Sequence, residues 1–204
     1  TCNWLALGCV YLHRARIAGS LAKLYQVAGI ALAGAAGVTA LSTLLNANPF
    51  LRSIYIGEYF VFNWLFLLWL VPAGLVFWLY TLIKPLYTKA ASFILTVAGV
   101  LSVLAINGFI RQYWQGPYIY LSTGASNAEL YSYSVIWLVL GAITVVLGHL
   151  KNQLLIQKIG LGLLAAVILK VFLVDMANLT GLLKALSFIG LGLSLVGLSW
   201  LFQK

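Results

Sequence analysis

Six long apolar stretches divide the chain, and no other feature constrains its fold as strongly. In an α-helix that rises 1.5 Å per residue, about 20 apolar residues cross the hydrocarbon core of a bilayer. A shorter apolar run, residues 4–12, has room for only part of such a helix. The predicted spans are residues 20–45, 58–83, 90–112, 129–149, 158–176 and 182–202. The pattern predicts an all-α polytopic bundle of six transmembrane helices plus a partial N-terminal helix, in a single domain over residues 1–204.

The scarcity of charged residues excludes a water-soluble fold. Only 7% of the 204 residues are charged and 63% are hydrophobic, so apolar side chains must face lipid. The net charge of +9 comes from basic residues scattered singly between apolar runs. Nucleic-acid-binding proteins gather such residues on one face. We therefore interpret the basic residues as determinants of membrane topology, and we expect no nucleic-acid partner.

Short connections join the predicted spans, and three of them contain a proline: Pro49, Pro85 and Pro117. Because a short link makes two spanning helices antiparallel neighbours, we expect three consecutive helical hairpins. Pro72 lies inside the second span. It is expected to kink that helix and to leave one backbone carbonyl without its usual donor.

The charged residues divide between the two predicted sides of the membrane. One side carries eight basic residues and no acid: Arg14, Arg16, Lys23, Lys84, Lys89, Lys151, Lys158 and Lys204. The other side carries three basic residues, Arg52, Arg111 and Lys184, and all three acids, Glu58, Glu129 and Asp175. The positive-inside rule makes the first side cytoplasmic, which predicts a cytoplasmic C-terminus and acids on the extracytoplasmic side.

Lys170 lies within the fifth predicted span. A lysine inside a span costs about 2.5–3.5 kcal/mol on insertion scales, so it usually has a partner or a route to water. In an α-helix, five residues turn the chain by about 140°, so Lys170 and Asp175 are not ideal partners. A partner on another helix, such as Glu58 or Glu129, is equally open. Two interpretations remain: a structural ion pair or snorkelling lysine, and a functional polar site.

Other polar side chains are expected at a similar depth. Asn107 and Arg111 are four residues apart on the third span, and Asn63 lies on the second. The predicted substrate-binding set is Lys170, Asp175, Glu129, Glu58, Arg111, Asn107, Asn63 and Lys184. The alternative for the asparagines is hydrogen bonding between helices, and for the neighbouring aromatic residues it is a belt at the membrane interface.

Small residues at four-residue spacing predict close helix packing, because they let two backbones approach in lipid. Gly29, Ala33 and Gly37 form one such stripe. Gly162 and Ala166 share a face with Lys170, which predicts that this lysine points toward protein.

Motifs of known catalytic or metal-binding chemistry are absent from the sequence. It contains no HExxH, no GxSxG and no phosphate-binding glycine loop, and no Ser–Lys pair has a convincing spacing. Cys2 and Cys9, the two cysteines, would lie about 10 Å apart along one helix, beyond disulfide reach. We predict no metal, no cofactor and no catalytic residue.

The run LKVFLVDMANLTGLLKALSFIGLGLSLVGLSWLFQK, together with ANPF, GEYFVFNWLFLLWLVPAG, NGFIR and AELYSYSVIWLVLG, resembles the domain of unknown function 2339 family. Its members are prokaryotic multi-spanning predicted membrane proteins. The resemblance implies a multi-pass protein of the bacterial inner membrane and brings no established activity. It also implies that this chain looks like the C-terminal portion of a longer array of spanning helices.

Three functions fit the sequence. The first is a transport or solute- or lipid-binding module with a polar site open to the extracytoplasmic side, for a polar or amphiphilic ligand. The second is a scaffold or assembly domain, packed against partner helices or the remainder of the same protein. The third, which we favour least, is an intramembrane enzyme acting on an envelope lipid or glycan, with Glu58, Glu129 or Asp175 as acid or base. In all three, membrane lipids are the immediate partners.

Overall fold

The computed structural model describes residues 1–60 and 62–175, together with residues 189, 190, 192, 193 and 196. The described part of the chain is helical and contains no strand. Its helices are α1 (Cys2–Ala15), α2 (Ala22–Asn46), α3 (Phe66–Ile83), α4 (Thr88–Gln115), α5 (Asn127–Leu150) and α6 (Leu154–Asp175). Helices α2 to α6 are long and apolar enough to cross a membrane. The all-α, multi-spanning prediction is thereby confirmed, while the predicted span 182–202 lies outside the described residues.

The chain divides into two compact units, Thr1–Gly124 and Ala125–Lys204. In the first unit, α1 packs on α2 and α3, and α3 packs on α4. In the second unit, α5 and α6 pack together as a hairpin.

In both units, neighbouring helices pack most closely where one of them has a glycine. A Cβ built on Gly29 of α2 would lie 3.0 Å from the Gly8 carbonyl oxygen of α1, and one built on Gly8 would lie 3.2 Å from the Ala33 nitrogen. The predicted packing role of Gly29 and Ala33 is therefore confirmed, whereas a Cβ on Gly37, the third residue of that stripe, would meet no atom of another described helix within 4 Å. On α6, Gly160 faces α5, whereas a Cβ on Gly162 would meet no atom within 4 Å among the described residues. Gly162 thus does not contact α5, although Lys170, predicted to share its face, points toward that helix.

Helix α3 begins later than predicted. Residues 53–60 are not helical, because the Ile56 N–H donates to the Pro117 carbonyl and the Trp64 N–H donates back to the Ile56 carbonyl. Trp64 and Leu65 are already helical, and the side-chain oxygen of Asn63, the residue before them, accepts the Phe66 N–H at 3.0 Å, as a helix N-cap does. The predicted start at residue 58 is wrong because pairing with a distant loop satisfies this backbone, and hydropathy carries no sign of such pairing.

The first five residues of α3, Phe66–Leu70, form a π-turn that ends two residues before Pro72. The Val71 N–H donates to the Phe66 carbonyl, and Pro72 has no N–H to offer to the next carbonyl, that of Leu67. The Cys2 thiol lies 3.3 Å from that carbonyl oxygen and donates to it. The carbonyl expected to lose its usual donor is therefore that of Leu67, and helix α1 supplies a substitute.

Helix α5 has a side-chain cap that allows a direct test. Ser126 is its N-cap residue, and its Oγ accepts the Glu129 N–H at 3.2 Å. Ser126→Ala should lower the free energy of unfolding by about 1 kcal/mol, because one N–H at the helix start loses its acceptor. Thermal unfolding of the purified protein would measure the loss, with Ser20→Ala, an exposed serine with no capping bond in α1 or α2, as the control. Equal melting temperatures for both variants would contradict the capping role.

Candidate functional site

Lys170 and Asp175 form an ion pair at the end of α6. Lys170 Nζ lies 2.7 Å from Asp175 Oδ1. It also donates to the Leu130 carbonyl at 2.8 Å and to Ser134 Oγ at 2.6 Å, both on α5. The Ser134 hydroxyl donates in turn to the other carboxylate oxygen of Asp175. We call these four residues the lysine cluster.

A π-turn makes this pairing possible. The last five residues of α6, Val171–Asp175, are π-helical, and a helix with i→i+5 hydrogen bonds brings residues five apart back to nearly the same face. The expectation that Lys170 and Asp175 are poorly placed to pair is therefore wrong, because it assumed α-helical geometry throughout.

Burial within the lysine cluster is unequal. The Asp175 side chain is 2% exposed, whereas that of Lys170 is 31% exposed. The carboxylate thus depends on protein groups for its hydrogen bonds. The lysine is long enough to extend its ammonium toward the surface. The ammonium and the hydroxyl donate to the carboxylate, and the ammonium also donates to the carbonyl and the hydroxyl, so each buried polar group has a partner.

Arg111 of α4 holds the following loop through several bonds. Its Nε donates to the Ile119 carbonyl at 2.9 Å, and its Nη2 donates to the Tyr120 and Gly124 carbonyls, each at 2.8 Å. The Thr123 hydroxyl accepts a further bond from Nη2 at 3.1 Å. Arg111 is buried. We call this arrangement the Arg111 clamp.

Asn63 and Gln112 join the start of α3 to the end of α4. Asn63 Nδ2 donates to Gln112 Oε1 at 2.6 Å, and Gln112 Nε2 donates to the carbonyls of Gly57 and Tyr59, both at 3.2 Å. Both side chains are buried. Asn63 therefore acts as a cap and a link between loop and helix, which is the interhelical hydrogen bonding given as the alternative to a ligand site.

The remaining predicted residues are placed as follows. Glu129 is buried in the first turn of α5 and accepts the Tyr133 hydroxyl at 3.0 Å. Asn107 donates to the Val103 carbonyl one turn earlier on α4. Glu58 is exposed on the non-helical segment before α3. Lys184 lies outside the described residues.

Sequence reasoning missed Ser134 and Gln112. Ser134 is one of two serines on α5, and nothing in its spacing from Lys170 marked the contact between two helices. Gln112 carried a weak signal, because it follows Arg111 as a second polar residue near the end of an apolar helix.

Within each unit, one end carries basic residues without acids, and the described acids lie at the other end. Arg16 Nη2 donates to the carbonyls of Thr81 and Leu82, each at 3.0 Å, so α1 and α3 end on the same side of the first unit. That end carries Arg14, Arg16, Lys23, Lys84 and Lys89, and the opposite end carries Arg52, Glu58 and Arg111. In the second unit, Lys151 and Lys158 lie at the turn between α5 and α6, and Glu129 and Asp175 lie at the far end. Among the described residues, the predicted division of charge between two ends is therefore present within each unit.

A cavity of about 590 Å³ opens in the first unit and is lined by α1, α2, α3 and α4. Its walls are mainly Ala, Gly, Leu, Val and Ile side chains, and none of the predicted binding residues lines it. We call it the apolar cleft. Among the described residues, no group of three His, Cys, Asp or Glu side chains is arranged to hold a metal ion.

Residues 1–204, the whole chain, match the family described as "Predicted membrane protein (DUF2339)". The chain belongs to this family. The resemblance carried by the sequence motifs is thereby confirmed, and DUF2339 membership agrees with the apolar spans of the structure. Neither the curated proteins nor the solved structures gave this DUF2339 chain a match.

Proposed function

We propose that this DUF2339 chain is a structural membrane module, a scaffold whose buried charges hold helices and loops together. The observation that carries the proposal is the lysine cluster, in which Lys170, Asp175 and Ser134 bond to one another and to the Leu130 carbonyl. A site built to bind a charged solute would direct such groups toward a ligand.

The Arg111 clamp supports the same conclusion. Its guanidinium bonds to three loop carbonyls and a hydroxyl, so a buried charge in the first unit also serves local structure. Asn63 and Gln112 form a third buried polar contact, in which the Asn63 amide donates to the Gln112 side-chain oxygen. Stripes of close glycine contact between α1 and α2, and between α5 and α6, suit a module that packs helices.

Transport or solute binding through an extracytoplasmic polar site stays a prediction, and so does an enzymatic role. The apolar cleft is lined by none of the residues predicted for such a site. Its presence favours contact with the hydrophobic part of a lipid over contact with a polar solute.

We further propose that the chain resides in the bacterial inner membrane with a cytoplasmic C-terminus. Support comes from the basic residues at one end of each unit, which are Arg14, Arg16, Lys23, Lys84 and Lys89 in the first and Lys151 and Lys158 in the second. The positive-inside rule assigns such ends to the cytoplasm.

A double-mutant cycle on Lys170 and Asp175 tests the scaffold proposal. Lys170→Met should lower the free energy of unfolding by about 2 kcal/mol, less than for a fully buried pair because Lys170 is partly exposed. Asp175→Asn should cost less, since the remaining lysine can extend toward the surface. The double variant should be more stable than Lys170→Met, because no unpaired buried carboxylate remains.

Unfolding of the protein in detergent and its abundance in the membrane would both be measured. Lys158→Met, at the opposite end of α6 where the side chain is exposed, is the matched control. If both single variants and the double variant were as stable as the wild type, the lysine cluster would not be structural and the scaffold proposal would fail.

A further inference from the structure

We infer that the apolar cleft of the first unit is a binding site for one acyl chain of a bilayer phospholipid. The inference goes beyond the scaffold proposal, since it assigns a ligand. It depends on the chemistry, size and position of the cleft.

The chemistry of the lining points to an alkyl chain. None of the twenty residues that line the cleft has a charged side chain. The hydroxyl of Thr43, one of the few polar side chains in the lining, is already bonded to the Thr39 carbonyl at 2.7 Å. Water does not fill a cavity with apolar walls. Within a membrane, a cleft of this kind is therefore filled by hydrocarbon.

The size of the cleft fits one chain. Its volume of about 590 Å³ is within the roughly 300–1,000 Å³ range of small-molecule sites. Along α2 the lining runs from Ala33 to Leu44, which at 1.5 Å per residue is about 16 Å. Half of a bilayer's hydrocarbon core is about 15 Å thick. Along α3 the lining runs from Leu67 to Leu79, which is about 18 Å, so the cleft is at least as long as a lipid tail in one leaflet.

Small residues on α2 create the space. Ala36, Gly37 and Ala40 line the cleft opposite Pro72 and Val76 of α3, and a Cβ on Gly37 would meet nothing within 4 Å. Leu67 and Phe93 line its edge and are exposed. The cleft therefore opens on the surface that faces lipid, and a chain can enter from the bilayer without crossing a polar region.

Native mass spectrometry of the intact protein, purified in mild detergent from a bacterial membrane, tests the inference. The wild type should retain one phospholipid per chain. Ala40→Phe fills the cleft and should reduce the retained phospholipid at least tenfold. The matched control is Val38→Phe, two residues away on the same helix, where the side chain is 72% exposed and does not line the cleft; it should retain the lipid. Equal retention by all three proteins would overturn the assignment.

Photocrosslinking keeps the test decisive if Ala40→Phe fails to fold. Benzoylphenylalanine replaces Leu44, which lines the cleft, or Leu41, which is exposed and does not. After bulk lipid is removed, irradiation should add a phospholipid mass at position 44 and not at position 41. An adduct with polypeptide at position 44 would show that a helix occupies the cleft, and an adduct with detergent alone would show an adventitious additive only; either result overturns the inference. The scaffold proposal would stand in both cases, because it rests on Lys170 and Asp175.

Discussion

Arg111→Leu is expected to release residues 115–124 and to lower the free energy of unfolding by about 3–5 kcal/mol. The estimate follows because hydrogen bonds to a charged group are worth about 1.5–3 kcal/mol each, and the carbonyls left behind lose their donor. Ile119, whose carbonyl accepts from Nε, is fully buried. Hydrogen exchange of residues 116–124 in lipid nanodiscs, together with thermal unfolding, would measure the effect.

Two further variants make this result specific to the Arg111 clamp. Arg111→Lys keeps the positive charge but cannot reach separate carbonyls with a planar fork, so it should recover less than half of the lost stability. Arg52→Leu removes an exposed arginine at the same end of the unit and should change stability by less than about 0.5 kcal/mol. If Arg52→Leu destabilised the protein as much as Arg111→Leu, the effect would reflect net charge and not the clamp.

Gly160→Ala is expected to destabilise the α5–α6 hairpin by about 3 kcal/mol, because the added methyl group overpacks the interface. A Cβ at this position would lie 2.7 Å from the backbone nitrogen of Val145 and 3.1 Å from the Gly141 carbonyl oxygen. Backbone atoms cannot move aside as a side chain can, so the two helices must separate.

Gly162→Ala is the matched control, on the same helix and two residues away. No described atom lies within 4 Å of a Cβ there, and alanine favours helix over glycine by about 1 kcal/mol. This variant should therefore unfold at the same temperature as the wild type or above it. The ordering Gly160→Ala below wild type, with Gly162→Ala at or above it, is the expected result in a thermal unfolding series. The opposite ordering would mean that α6 packs through its Gly162 face.

Hydropathy was sufficient to predict most of the helices, for a physical reason. A spanning helix satisfies its backbone internally and needs only apolar length. The predicted spans 20–45, 90–112 and 129–149 therefore agree with α2, α4 and α5 to within a few residues. Close packing at Gly29 was also predictable, because small residues mark where helices approach.

The parts that could not be predicted depend on contacts between distant residues. The start of α3 is set by Ile56 bonding to Pro117, which no local pattern reveals. Asn63 was included in the predicted binding set with hydrogen bonding between helices as the alternative, and its bonds to the Phe66 N–H and to Gln112 follow from no local pattern. Ser134 became part of the lysine cluster because α5 and α6 pack against each other, with close approach at Gly141 and Gly160.

The π-turn at Val171–Asp175 affects which residue spacings in related sequences would specify the same ion pair. A π-turn is equivalent to one residue inserted into an α-helix, so deleting a residue between Lys170 and Asp175 would bring the pair to four-residue spacing. An α-helix also places residues four apart on one face. The ion pair would then survive a one-residue deletion that removed the wide turn. Sequences in which the acid follows the lysine by four residues and those in which it follows by five would be read as different motifs in an alignment, yet they would specify the same bond.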